Sequence, residues 1–372
     1  MENRKIQTTK SGSYFITLPK AWVKKRELMP LDDSHKNKEL ILTENEDGNL
    51  IISIPGTQKL SYNEVTIPIE EYEEENSLER CINSSYVQGS DIIIIISKNT
   101  IASDKKRLVK AMVIGLIGSE ISEEFSNRII IRILVDPIRF PLSNLIERIY
   151  LLVSSMHIDA MKAFIESDKV LAEDVINRAK EVDKLFFLML RQLNLSLTNR
   201  LKFSDICASD MKTDCVLGIV LARDLSKMAH YAAEIASEVV KLITKEVGRK
   251  LKDHLIKMSR FTIKMQQNAI LAFFKNDFMR ANKVVNDIQQ VVEFDLETDT
   301  TVLKNIEDPS VIIGLISISR NLRNIATSAV AVSQDLQAKY HPRETLKKNA
   351  LPQKLPNAED LIISPDYGNE LD

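Results

Sequence analysis

The tightest constraint on this chain is a repeat inside its second half. The segment AMKAFIESDKVLAEDVINRAKEV begins at Ala160, and AILAFFKNDFMRANKVVNDIQQV begins at Ala269. They align without a gap. Ala160, Ala163, Phe164, Asp168, Ala172, Val175, Asn177 and Val182 match Ala269, Ala272, Phe273, Asp277, Ala281, Val284, Asn286 and Val291. A second pairing follows at a slightly different offset, where Arg223, Leu225, Ala229 and Ala232 match Arg320, Leu322, Ala326 and Ala329. Most matches are apolar or small residues at helical spacing, and such spacing marks helix faces that must be buried. One match is a turn, Ser167-Asp168 against Asn276-Asp277. The pattern predicts two copies of a three-helix unit, over residues 141–243 and 244–337, each packing on its twin. The first helix shows its own face at Leu142, Leu145, Ile149, Leu152, Met156, Ala160 and Ala163, with Pro141 before it and Ser143 as the expected cap.

Composition agrees with long helices, because only 10 of 372 residues are glycine. The net charge of −2 excludes a surface that coats nucleic acid throughout, so any such contact must be local. The charge is in fact uneven. Seven of the first 26 residues are basic: Arg4, Lys5, Lys10, Lys20, Lys24, Lys25 and Arg26. Between Arg4 and Leu18 apolar and polar residues roughly alternate, interrupted by Ser11-Gly12-Ser13. Pro19 then opens a short expected helix from Lys20 to Leu28. Leu40–Thr43 and Leu50–Ile54 read as strands joined at Asp47-Gly48. Residues 1–56 are too few to bury a core well alone, so intertwined hairpins from two chains are expected to supply the burial.

Residues 57–140 read as a small α/β domain. A strand is expected at Glu64–Ile67, a helix at Ser77–Val87 with Ser77 as cap, and a helix in SDKKRLVKAMVIGLIG closed by Gly118. Glu120–Glu124 and Arg128–Val135 should form a hairpin, and SDIIIIISK should be a strand buried on both faces. The carboxylates Glu70, Glu71, Glu73, Glu74 and Glu75 read as a solvated run with no site.

Two resemblances follow from these residues. Arg4-Lys5-Ile6, Gly12, Ile16-Thr17-Leu18-Pro19-Lys20 and the closing strands with Asp47-Gly48 resemble a SpoVT/AbrB-type DNA-binding domain. That resemblance implies a swapped-hairpin dimer presenting Arg4, Lys5, Lys10, Lys20, Lys24, Lys25 and Arg26 to double-stranded DNA. Tyr14, Phe15 and Ile16 stand where many members of that family carry an arginine, so phosphate contacts are expected ahead of base reading. A dimerisation module with a solvated basic rim is the competing reading. VINRAKEVDKL from Val175 and ARDLSKMAHYAAEIASEVV from Ala222 resemble the second and third helices of a PhoU unit. The whole chain is therefore similar to archaeal PhoU-like phosphate-uptake regulators. The fold class so implied is multidomain α+β: a hairpin module, a small α/β domain, and two tandem three-helix bundles.

The PhoU resemblance implies metal-binding carboxylate pairs four residues apart. Here those positions carry Ala179 and Asp183, then Ser226 and His230, in the first unit. In the second they carry Ile288 and Val292, then Arg323 and Thr327. One weak site from Asp183 and His230, with Glu181 or Asp224 as a further donor, is the most that remains, and a satisfied or exposed histidine is preferred to it. No cofactor is expected. No glycine-rich phosphate loop or nucleophile elbow is present, and His35, His157, His254 and His341 have no triad or metal partner nearby in sequence, so the chain is not expected to be an enzyme.

Cys81, Cys207 and Cys215 are expected as reduced structural thiols of a cytoplasmic protein. No signal peptide is recognised, and the run Ile92–Ile96 is far too short to cross a bilayer. Residues 338–372, with four prolines and no periodicity, are expected to be disordered. The function expected is a dimeric, DNA-binding regulator of phosphate uptake. The alternative is an adaptor acting on a phosphate transporter ATPase or a sensor kinase, with a head that only dimerises. A metal-storage or metal-sensing bundle is a third reading.

Overall fold

A computed structural model describes residues 4–10, 12–25, 40–44, 49–53, 63–74, 76–207 and 212–339. The sequence readings at Arg26, Glu75, Asp47-Gly48 and the tail from residue 340 lie outside the described residues. The chain divides into two compact units, Met1–Ser61 and Tyr62–Asp372.

In the first unit β1 (Gln7–Thr8) pairs antiparallel with β2 (Tyr14–Phe15), α1 spans Lys20–Lys25, and β3 (Ile41–Glu44) pairs antiparallel with β4 (Leu50–Ser53). Gly12 closes the first hairpin at φ +86°, a conformation that costs glycine little. Ile6, Tyr14, Phe15, Ile16, Ile41, Leu42 and Leu50 in and beside these hairpins are exposed, while Ile52 of β4 is half-buried.

The second unit opens with β5 (Glu64–Pro68), α2 (Ser77–Val87), β6 (Ile92–Ile96), α3 (Ser103–Ile114), β7 (Ser119–Glu124) and β8 (Arg128–Ile133). The sheet order is β5-β6-β8-β7, with β5 parallel to β6 and β8 antiparallel to both its neighbours. Ile67, Ile93, Ile95, Ile129 and Ile131 share a core with Leu78, Ile82 and Tyr86 of α2 and Val109 of α3. The expectation that β6 is buried on both faces is corrected. Ile93 and Ile95 are buried, whereas Ile92, Ile94 and Ile96 are half-buried and belong to no core. A run of five isoleucines hides the period of two, since both faces carry the same residue.

Two cap readings are corrected too. Asn76, in the left-handed region at φ 61°, precedes α2, and Ser77 Oγ donates back to Glu74 O at 2.6 Å. Pro141 precedes the first long helix without a side-chain cap, and Ser143 bonds its neighbour Asn144 instead. Gly118, at φ +73°, closes the turn after α3, where an added Cβ would sit 2.4 Å from Val135 Cβ.

The helical half contains α4 (Leu142–Glu166), α5 (Lys169–Leu197), the short α6 (Phe203–Ile206), α7 (Lys212–Leu242), α8 (Arg249–Lys275), α9 (Phe278–Asn305) and α10 (Pro309–Lys339). The repeated turn has the same physics twice. Ser167 and Asn276 end α4 and α8 in the left-handed conformation, at φ 54° and 53°. Asp168 and Asp277 then cap α5 and α9, accepting from Leu171 N and Arg280 N at 3.0 Å each. The two bundles share one core, in which α7 and α10 pack on each other as well as on their own partners. The expectation of three reduced thiols is corrected at two of them. Cys207 and Cys215 are joined by a disulfide with Cα atoms 5.8 Å apart, while Cys81 is free.

Candidate functional site

The carboxylate-pair positions of the first bundle come together on α5 and α7. His230 Nε2 lies 3.0 Å from Asp183 Oδ1, and Ser226 Oγ donates to the same oxygen at 3.4 Å. The hydrogen bond to Asp183 is the main reason that the His230 imidazole titrates above its ordinary value, against a smaller opposing effect of burial. Glu181 does not join them, as it pairs with Lys184 at 2.6 Å. Asp224 is buried and paired with Lys227 at 2.7 Å, and its charge adds to burial in raising the Asp335 carboxyl. Asp183 and His230 thus spend their facing atoms on each other. Among the described residues no three His, Cys, Asp or Glu side chains are arranged to hold a metal ion. This donor set does not fit the multinuclear cluster that the resemblance implies.

In the second bundle the corresponding region is held by arginine. Asp295 is fully buried on α9 and accepts from Ser319 Oγ at 2.9 Å, from Arg323 at 3.0 Å and from Arg320. Arg320 also reaches Asp299 at 3.2 Å. Arg323 therefore carries a positive charge where the family pattern has a carboxylate. Its buried partner is satisfied by three donors, as a buried charge requires. The matched position Arg320 was legible in the repeat, but its partners on α9 were not.

Two further clusters join parts of the second unit. Arg191 of α5 is buried and donates to the carbonyls of Tyr86 and Ser90 at 2.8 Å each, with Asp91 Oδ1 at 3.4 Å. Asn194 donates to Val87 O at 2.9 Å, and Arg200 binds Gly89 O and Asp91. These bonds clamp the C-terminal end of α2 onto the first bundle. Between the bundles, His157 of α4 is buried. Its Nδ1 donates to Gln266 Oε1 at 3.4 Å and its Nε2 accepts from Ser259 Oγ at 3.2 Å, the tautomer that satisfies both. Extending the gapless repeat makes His157 and Gln266 equivalent positions, so here the two repeats meet at their own pseudo-symmetry axis.

In the first unit Arg4, Lys5, Lys10, Lys20, Lys24 and Lys25 are exposed. Lys20, Lys24 and Lys25 share the six-residue α1, and Lys10 lies in the turn between β1 and β2.

Comparison with known proteins supplies one family. Residues 146–239 and 255–336 each match the PhoU domain. No curated protein matches the chain. Among solved structures, the phosphate transport system regulatory protein PhoU from Streptococcus pneumoniae is similar at 18% identity and a TM-score of 0.45, over 52% of this chain and 91% of that one. PhoU from Pseudomonas aeruginosa is similar at 18% identity and a TM-score of 0.46, over 52% and 93%. The two matched segments fall on α4, α5 and α7 and on α8, α9 and α10, so the helical half of this chain is similar to two PhoU domains in tandem.

Proposed function

We propose that the protein is a regulator of phosphate uptake, not an enzyme, in which the paired PhoU domains receive a signal or partner and the basic head contacts double-stranded DNA as a homodimer. The observation that carries the phosphate reading is the tandem PhoU match. The DNA reading rests on exposed Lys10, Lys20, Lys24 and Lys25 in a unit whose hairpins leave apolar residues uncovered. Uncovered hairpins favour a second copy as partner, and clustered lysines favour phosphate contacts. The protein is read as cytoplasmic and without a resident metal. No helix among the described residues is long and apolar enough to cross a membrane.

A second reading has its own support. The PhoU match covers only the helical half and does not extend to the basic head. On that reading the protein is an adaptor on a phosphate transporter ATPase or a sensor kinase, and the head only dimerises. Fluorescence anisotropy with duplex DNA from upstream of phosphate-transport genes separates the two, with a scrambled duplex as control and several salt concentrations. Tight binding to the native duplex supports the DNA-binding regulator. Weak binding, equal for both duplexes and abolished by moderate salt, supports the adaptor.

A further inference from the structure

The two PhoU-like domains differ in what covers their second helix. In the first, Phe187, Arg191, Asn194 and Leu195 of α5 lie against the α/β domain and, with the helical-core residue Leu188 among them, are buried or half-buried. The gapless repeat makes Leu296, Glu297, Thr300, Leu303 and Lys304 of α9 their equivalents. All five are exposed, Leu296 at 56% and Leu303 at 65%. The second domain therefore presents, bare, the face that the first uses for docking. Its chemistry has also changed. The donors Arg191 and Asn194, which grip carbonyls of the α/β domain, have become Thr300 and Leu303, so this face is not built to hold another such domain.

The pattern of the face is its own complement. Leu296 and Leu303 are two helical turns apart, on one stripe with Thr300 midway. In an antiparallel pair of α9 helices related by a two-fold axis at Thr300, Leu296 of each meets Leu303 of the other. The same axis brings Glu297 of each opposite Lys304 of the other, both on the same flank of the seam. Neither charge is committed elsewhere in a way that prevents this. Glu297 is exposed, with a long contact of 3.7 Å to His254 Nδ1, while His254 Nε2 donates to Phe294 O at 3.0 Å. Lys304 is exposed. An isologous contact requires this kind of self-complementarity, with residue i meeting j and j meeting i.

We infer that the exposed face of α9 is a homodimer contact, in which Leu296 and Leu303 interleave around Thr300 and Glu297 pairs with Lys304 of a second copy. Two leucines and one surface ion pair per chain make a small contact, which acts by fixing how the second PhoU-like domains of a dimer meet. It goes beyond the phosphate reading and does not depend on it.

Thr300→Cys tests the contact in the full chain, because the axis places the two introduced thiols side by side. Mild oxidation should give a covalent dimer on a non-reducing gel, well above wild type with its native cysteines. Adding Leu303→Glu should abolish that dimer. Glu297→Lys should lower its yield by about fivefold through two lost ion pairs, and combining it with Lys304→Glu should restore the yield. No covalent dimer above wild type overturns the inference, as does a yield indifferent to Leu303→Glu. A protein that sediments as a dimer but fails to cross-link at residue 300 associates elsewhere, through the head or with another segment on α9. That outcome rejects this contact and leaves the proposed function standing.

Discussion

His157 should give the protein a specific acid sensitivity. It is fully buried between the two helical bundles, and burial pushes its imidazole down to about 4, against a smaller upward pull from the Gln266 hydrogen bond. In the unfolded chain the same ring titrates near 6.5. Between these values the unfolded state binds a proton that the folded state refuses, so folding is weakened as pH falls from about 6.5 towards 4. The slope is about 1.4 kcal/mol per pH unit, and at pH 5 the loss is about 2 kcal/mol. Above about pH 7 the residue contributes no pH dependence. Carboxylates also titrate in this window, so the assay is a difference. Urea midpoints are measured from pH 4.5 to 8 for wild type and for His157→Gln, which places at residue 157 the amide already present at its equivalent Gln266. Wild type should lose stability relative to the variant by about 2 kcal/mol on going from pH 8 to 5. Parallel pH profiles for the two proteins would refute the argument that this imidazole is held neutral by burial.

Other expectations follow from the clusters. Arg191→Met should cost about 3 kcal/mol, because it strips a charged donor from two buried carbonyls, and should speed amide exchange over residues 84–91 by roughly two orders of magnitude. Asp183→Asn should return the His230 titration, followed by NMR, towards its ordinary value. The stabilisation from that pair is present at low pH and is lost as pH rises through the raised value. Gly118→Ala should destabilise the α/β domain, seen as a lower thermal midpoint, since both the positive φ and the Val135 contact oppose a Cβ. Replacing Lys24, Lys25 and Arg26 with alanine should weaken DNA binding for every sequence and flatten the salt slope by about 3 if each residue neutralises one phosphate.

The helical half was legible because a repeat reports twice. Asp168 and Asp277 mark the same cap, and Ala160 and Ala269 the same close packing, so chance coincidence at either site was checked by the other. The limits of β6 were legible too, but its faces were not, because five isoleucines carry no alternation. Ser77 and Ser143 failed as caps because neighbouring Asn76 and Pro141 set the helix starts, and serine spacing alone does not reveal that competition. The Arg191 clamp was invisible for another reason. Its acceptors are backbone carbonyls about a hundred residues away, and carbonyls leave no mark in a sequence. Asp183 and His230 were singled out as the remnant of a family metal site, and the structure brings them within 3.0 Å of each other. Their mutual bond, in place of a shared cation, depends on side-chain geometry.

Regulation of phosphate uptake is the function proposed for this protein. Its most direct test is the initial rate of labelled phosphate uptake by cells with and without the protein, in phosphate-rich and phosphate-starved medium. Cells lacking the protein should fail to adjust their uptake between the two media, and restoring the full chain should restore the response. An adjustment of normal size in cells lacking the protein would contradict the proposal.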